Sequence, residues 1–233
     1  MSDIAYSTAL IVGAGPGISA SVARALAFAG LKVGLVARDT GKLAALAAEI
    51  GAETFAVDAA DPGAVARLFE AADATIGEPD VVLYNPSARV RGRIAEIDAE
   101  QVRRALEVSA FGGFLVVQQA ARRMVPRKRG AILLTGATAS VKGFALSSAF
   151  AMGKFALRGL AQSAARELGP HGVHVTHFVI DGGVRSAARP DPADAPDSTL
   201  DPDGVAQSYL AALRQPRNAW SWEIELRPWV ERF

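Results

Sequence analysis

Three glycines at alternate positions, Gly13, Gly15 and Gly17, follow directly on an apolar run at residues 9–12 and precede a helical pattern. That arrangement suits phosphate chemistry. Glycine allows a tight turn and lets an anion come close to the backbone. The helix that follows presents free N–H groups and the positive end of its dipole. The spacing departs from G-x-G-x-x-G. Even so, strand, turn and helix in this order form the setting in which such a turn holds a dinucleotide pyrophosphate. The next apolar run ends at Ala37 and Arg38, where an acidic residue would select an unphosphorylated ribose. A guanidinium at that place pairs with a 2′-phosphate instead, so NADP(H) is expected in preference to NAD(H).

Other reactive side chains point to less. The chain has no cysteine, which excludes disulfides, thiolate catalysis and Cys-ligated zinc. His171, His174 and His177 are close in sequence. On a strand, however, His174 and His177 project to opposite faces, so no metal site is expected. Arg122, Arg123, Arg127, Lys128 and Arg129 form a basic cluster at a helix end, expected to stay solvated and complement the dipole. Without interleaved aromatics the cluster does not read as a nucleic-acid surface. The net charge of +1 gives no reason to expect nucleic acid or an anionic membrane as partner.

These residues must be positioned by alternating strands and helices. Strands are expected at 9–12, 32–37, 54–57, 80–84, 131–135 and 173–180. Helices are expected at 21–29, 42–50, 62–75, 99–124 and 148–168, with one more from Asp201-Pro202. Asp61-Pro62 and Asp201-Pro202 read as an N-cap followed by proline at the first helical position, and Asp98 with Gln101 resembles a capping box. The early strands are continuous apolar runs, as a parallel sheet buried on both faces requires. Trp220, Trp222, Ile224 and Leu226 alternate with Ser221, Glu223, Glu225 and Arg227, which predicts a last strand with one apolar and one polar side. The whole, 1–233, reads as a single α/β domain. Its expected core is a Rossmann-like, doubly wound parallel sheet of about seven strands with helices on both faces. Residues 185–199, rich in Pro, Asp, Ala and Ser, are expected to form a flexible substrate lid. The early apolar run is too short for a signal peptide, and no run approaches the length of a membrane helix, so a cytoplasmic protein is expected.

In this order and at these spacings, the landmarks resemble the short-chain dehydrogenase/reductase family over essentially the whole chain. Gly13-x-x-x-Gly17-Ile18 looks like its glycine turn. Asp58 looks like its adenine-contacting Asp, and Tyr84-Asn85-Pro86-Ser87 sits where the family has Asn-Asn-Ala-Gly. Phe150-x-x-x-Lys154 sits where it has Tyr-x-x-x-Lys, and Asp181-Gly182-Gly183-Val184 resembles the turn beside the nicotinamide. The resemblance implies a cofactor held by Gly13, Gly15, Gly17, Ile18, Arg38, Asp58, Asn85, Lys154, Gly182 and Val184.

It also implies a catalytic set of Asn, Ser, Tyr and Lys, and here the chain departs. The Asn position falls on Ser109, the Ser position on Ala137 and the Tyr position on Phe150; Lys154 alone remains. Phenylalanine donates no proton, and general acid–base help is worth about 10²–10⁴ in rate. Thr138, Tyr84, Ser147 and Asp181 are the candidates for a substitute donor. Two functions are therefore carried forward: an NADP(H)-dependent oxidoreductase with a non-standard site, and a catalytically silent NADP(H) sensor or partner subunit. Within the first, a carbonyl protonated by water or an activated C=C bond would suit Phe150. Phe144, Phe150 and Met152 suggest a small-molecule substrate with an apolar portion. A homodimer or homotetramer is expected through the helices at 99–124 and 148–168. The aromatics Trp220, Trp222, Trp229 and Phe233 are expected either to join such an interface or to cover the sheet edge.

Overall fold

The computed structural model describes residues 4–231. Seven parallel strands form one sheet in the order β3-β2-β1-β4-β5-β6-β7. They are β1 (Thr8–Val12), β2 (Lys32–Ala37), β3 (Glu53–Ala56), β4 (Val81–Tyr84), β5 (Gly130–Thr135), β6 (Val173–Ile180) and β7 (Glu223–Leu226). The central strands β1, β4, β5 and β6 are buried along their whole length. That is why β1, β4 and β5 are largely apolar runs, while the buried His174, Thr176 and His177 of β6 are hydrogen-bonded or paired toward β7.

Helices α1 (Ile18–Phe28), α2 (Ala44–Ile50) and α7 (Pro202–Leu213) supply one apolar layer, with Val22, Leu26, Leu46, Val205 and Leu210 turned to the sheet. On the other face lie α3 (Pro62–Thr75), α4 (Ala99–Leu106), α5 (Gly112–Arg127) and α6 (Ser148–Leu168). Phe69, Val116, Met124, Leu157 and Leu168 fill the core there. The expected caps are formed: Asp61, Asp98 and Asp201 accept backbone hydrogen bonds from Ala64, Gln101 and Asp203.

The structure corrects four expectations. The helix expected at 99–124 is interrupted by a π-helical turn, Glu107–Phe111, with Ser109 at its centre. Such a turn widens the helix locally and re-aims its residues. The basic cluster is not simply solvated. Arg123 pairs with Asp73, and Arg127 and Arg129 converge on the buried Asp80, at 3.1 Å each. These pairs tie α5 to α3 and to the start of β4. The polar side of β7 is also used. Glu223 accepts from Arg158 of α6 at 2.6 Å and lies 3.0 Å from His177 of β6. Finally, the helix expected at 42–50 starts as a 3₁₀ turn, Gly41–Leu43, so α2 begins only at Ala44, and Asp39 accepts from the Gly41 N–H.

Trp220 stacks on His174 with ring centroids 4.7 Å apart, so it covers its own sheet. Trp229 is exposed, and Phe233 lies outside the described residues. Among the described residues, no helix is long and apolar enough to cross a membrane.

Candidate functional site

Strand order reverses direction between β1 and β4, and the cleft lies over the carboxyl ends of the strands at that switch, as expected for open α/β sheets. Three connected chambers make it up. The first, about 370 Å³, lies between the glycine turn and the ends of β2 and β3. The inner one, about 210 Å³, shares Asn85 and Ser87 with the first. The outer one, about 510 Å³, shares Arg89, Ala137, Phe150, Ile180 and Gly182 with the inner.

The glycine turn is shaped by contact as well as by backbone freedom. Gly13 has φ 79°, and a Cβ there would lie 2.7 Å from the Pro86 ring. Gly17, at φ 89°, begins α1 with no side-chain cap. The first-turn N–H groups of α1 are thus left available to an external anion. Ser19 donates to the Gly13 carbonyl, and Asn85 donates to the Ser19 hydroxyl at 2.6 Å. This chain ties the turn to the loop after β4.

In the first chamber Arg38, Asp39, Lys42 and Asp58 line the end opposite the inner chamber. Asp39 pairs with Lys42 at 3.5 Å rather than with Arg38. Among the described residues, no carboxylate is within ion-pairing distance of Arg38. Asp58 accepts from the Ala60 N–H and turns its remaining edge to the chamber.

Lys154 lines the inner chamber and is only 2% exposed. Its Nζ donates to the Thr135 carbonyl at 2.7 Å. Burial, with help from the Arg89 charge, pushes its ammonium down to about 7. An ammonium held in so dry a place titrates readily or takes up an anionic or hydroxylic partner. Ile18, Gly182 and Val184 line the same chamber. Gly15 belongs to the first chamber.

Phe150 stands at the junction of the inner and outer chambers, one helical turn before Lys154. The Arg89 guanidinium lies over its ring, 4.4 Å from the centroid. Ala137 leaves no hydroxyl at the junction. Its N–H is instead tied to the Ser140 hydroxyl at 3.1 Å. Thr138 and Ser147 line the outer chamber, alongside Phe144.

Other expected residues stand back from the cavity. Ser109 is fully buried, accepts from the Ala88 N–H at 3.1 Å, and lies against Gly153, where a Cβ would come within 2.7 Å of its own. The π turn therefore brings Ser109 beside the residue preceding Lys154, not into the open chamber. Tyr84 donates its hydroxyl to the Val108 carbonyl, and burial pushes its phenol up. Asp181 is buried and paired with Arg227 at 3.3 Å. Neither is a free acid in the cleft. Burial pushes His177 down to about 4 against the pull of Glu223, so it is neutral around pH 7.

Sequence reasoning missed Lys42 in the first chamber, Arg89 and Arg91 over the outer one, and Arg189 at the inner one. Only Lys42 carried a signal, its spacing from Asp39. The arginines sit on loops whose course no periodicity announces. Residues 185–199 are pinned by polar contacts: Arg185 bonds Asp191 and Asp201, and Asp191 accepts from the backbone N–H groups of Asp197 and Thr199.

Residues 7–192 match the family model described as short chain dehydrogenase. A short-chain dehydrogenase from Rhodopseudomonas palustris superposes with TM-score 0.82 at 35% identity, covering 96% of this chain and 99% of that one. A metagenomic short-chain oxidoreductase in complex with NADP superposes with TM-score 0.85 at 27% identity, covering 97% and 99%. Momilactone A synthase of Oryza sativa is 37% identical over 76% of this chain and 66% of that protein. An uncharacterized oxidoreductase of Staphylococcus saprophyticus is 28% identical over 98% of this chain and all of its own.

Proposed function

The chain belongs to the short-chain dehydrogenase family, and from that premise we propose that it is an NADP(H)-dependent oxidoreductase with a non-standard catalytic site. The observation that carries the reading is the continuous cleft from Arg38, past the uncapped start of α1, to the buried Lys154 and Phe150. Its residues suit the cofactor end to end. Arg38, helped by Lys42, takes the 2′-phosphate, and Asp58 takes the adenine. Gly13, Gly15, Gly17 and Ile18 take the pyrophosphate on the α1 N-terminus. Asn85 steadies that turn, Lys154 takes the nicotinamide ribose, and Gly182 and Val184 flank the ring. The NADP carried by the metagenomic relative supports the choice of cofactor.

The bound cofactor would supply hydride chemistry, and the protein's part is to position the reacting partners. Phe150 offers an apolar wall where the family has a proton donor. The acceptor is therefore one that needs no phenolic acid, an activated C=C bond or a carbonyl protonated by solvent. Thr138 and Ser147 are the hydroxyls available to orient it. Residues 185–199 serve as the substrate lid, reaching the inner chamber through Arg189. Phe150 together with Ala137 also favours a second reading, a silent NADP(H)-binding subunit. Oxidation of NADPH with any member of a carbonyl and enone panel excludes that reading.

Titration with NADPH and NADH, in wild type and Arg38→Ala, tests the cofactor. Arg38→Ala should weaken NADPH about tenfold or more, as loss of a charge-assisted pair does, and leave NADH nearly unchanged. Equal losses for both cofactors refute the role of Arg38.

A further inference from the structure

The outer chamber has an unusual balance of charge. Arg89 and Arg91 line it, and no aspartate or glutamate lines it or the inner chamber. Lys154 and Arg189 add two more cations at the inner chamber. Elsewhere in the molecule many arginines are matched. On the segment after β4 Arg93 pairs with Glu96, and in α4 Arg103 and Arg104 pair with Glu100. Among the described residues, Arg89, Arg91 and Arg189 have no carboxylate within ion-pairing distance.

From this we infer that the substrate carries a carboxylate, bound by Arg89 and Arg91 across the outer chamber. The inference rests on the reading of the cleft as an NADP(H) and substrate site.

The geometry explains why Arg89 suits the task. Its guanidinium lies over the Phe150 ring, 4.4 Å from the centroid. The ring attracts the cation without neutralising its charge, so the guanidinium can still pair with a carboxylate. The aromatic ring also holds the cation at the junction of the two chambers. Arg91 is two residues further along the irregular segment after β4, so both side chains reach the same chamber. Uncompensated cations in a concave site focus potential onto an incoming anion. The remaining walls are largely apolar, with Val90, Phe144, Phe150 and Ile180. A cavity of about 510 Å³ accepts a small organic acid with a compact apolar body. The carboxylate is placed on the outer side of Phe150, and the reacting part of the substrate faces the inner chamber. A carboxylate is favoured over a phosphate because the largely apolar walls make the burial of a single charge less costly than that of two. The start of α6, through Ser147 and Phe150, also lines the chamber and adds a dipole favourable to an anion.

The test is direct binding, without turnover. Phenylpyruvate, benzoate and 4-phenylbutyrate are titrated calorimetrically against their amides, with and without saturating NADPH, in wild type and in the Arg89→Gln/Arg91→Gln double variant. Wild type should bind at least one acid about ten- to a hundredfold more tightly than its amide, the span of one charge-assisted pair. That preference should shrink as salt is raised and vanish in the double variant. Far-UV circular dichroism and the melting midpoint establish that the double variant is folded. If it is not, the single variant Arg91→Gln carries the test, with a reduced preference expected. Equal binding of acid and amide, a preference that survives the double variant, or no binding of any acid at millimolar concentration overturns the inference. Failure to bind NADPH with the acid preference intact overturns the cofactor reading alone.

Discussion

Replacing Lys154 by methionine tests the dry environment at the heart of the cleft. The ammonium is buried and pushed from 10.5 to about 7, first by burial and then by Arg89. The unfolded chain holds its proton up to the ordinary value, so between about pH 7 and 10.5 it binds more protons than the folded state. Wild-type stability therefore rises with pH across this window, and is lost as pH falls toward 7. A tenfold difference in proton affinity between the two states is worth about 1.4 kcal/mol. Allowing for partial protonation at its lower end, the interval from about pH 7 to pH 9 should give wild type about 2 kcal/mol relative to Lys154→Met. The hydrogen bond to the Thr135 carbonyl, lost in the variant, mainly offsets the two curves. The pH dependence thus isolates the charge. His177 titrates near 4, outside the window. Urea unfolding of both proteins without cofactor, followed by circular dichroism at half-unit pH steps, reads the difference. A stability difference that stays flat over this range would refute the reasoning.

Two further outcomes follow from the site and its surface. Phe150→Tyr restores a phenol at the junction beside Lys154, and should raise carbonyl reduction by about 10² or more, read as NADPH oxidation over a ketone panel; no gain means that the rest of the site is not assembled for acid catalysis. Phe111 and Phe114 stack at 6.4 Å and remain partly exposed, as do Met152 and Phe155 of α6, the helix packed against the same π turn and α5. Phe114→Glu should therefore reduce the mass seen by light scattering from an oligomer to a single chain, and a wild type that is already monomeric overturns the assignment of this face.

The sheet and most helices were legible because they depend on local signals. Buried parallel strands are mostly apolar, and Asp61-Pro62 and Asp201-Pro202 mark helix starts. The resemblance to Tyr-x-x-x-Lys singles out Phe150 and Lys154, and their i, i+4 spacing puts them on one helix face, where both line the inner chamber. What escaped depends on distant contact. Asp80 lies 47 residues from Arg127, and nothing around the arginines announces the carboxylate they share. The π turn at Ser109 changes hydrogen-bond register inside an ordinary helical pattern, so periodicity passes over it. The irregular segment after β4 has no period at all, and Arg89 and Arg91 are drawn over the cavity only by its path.

The contact between Gly13 and Pro86 has a consequence for redesign. Proline occupies the space a side chain on Gly13 would need, and Ser19 bridges Gly13 to Asn85. The phosphate turn and the segment that leads to Arg89 and Arg91 are therefore one interlocked part. On the proposed reading, Arg38 offers a separate handle on cofactor preference, because its side chain takes no part in these contacts. Substrate preference is different. A segment grafted from a relative to replace residues 85–91 must bring a matching residue at 13 and 19, or the graft will break the turn it is meant to leave alone.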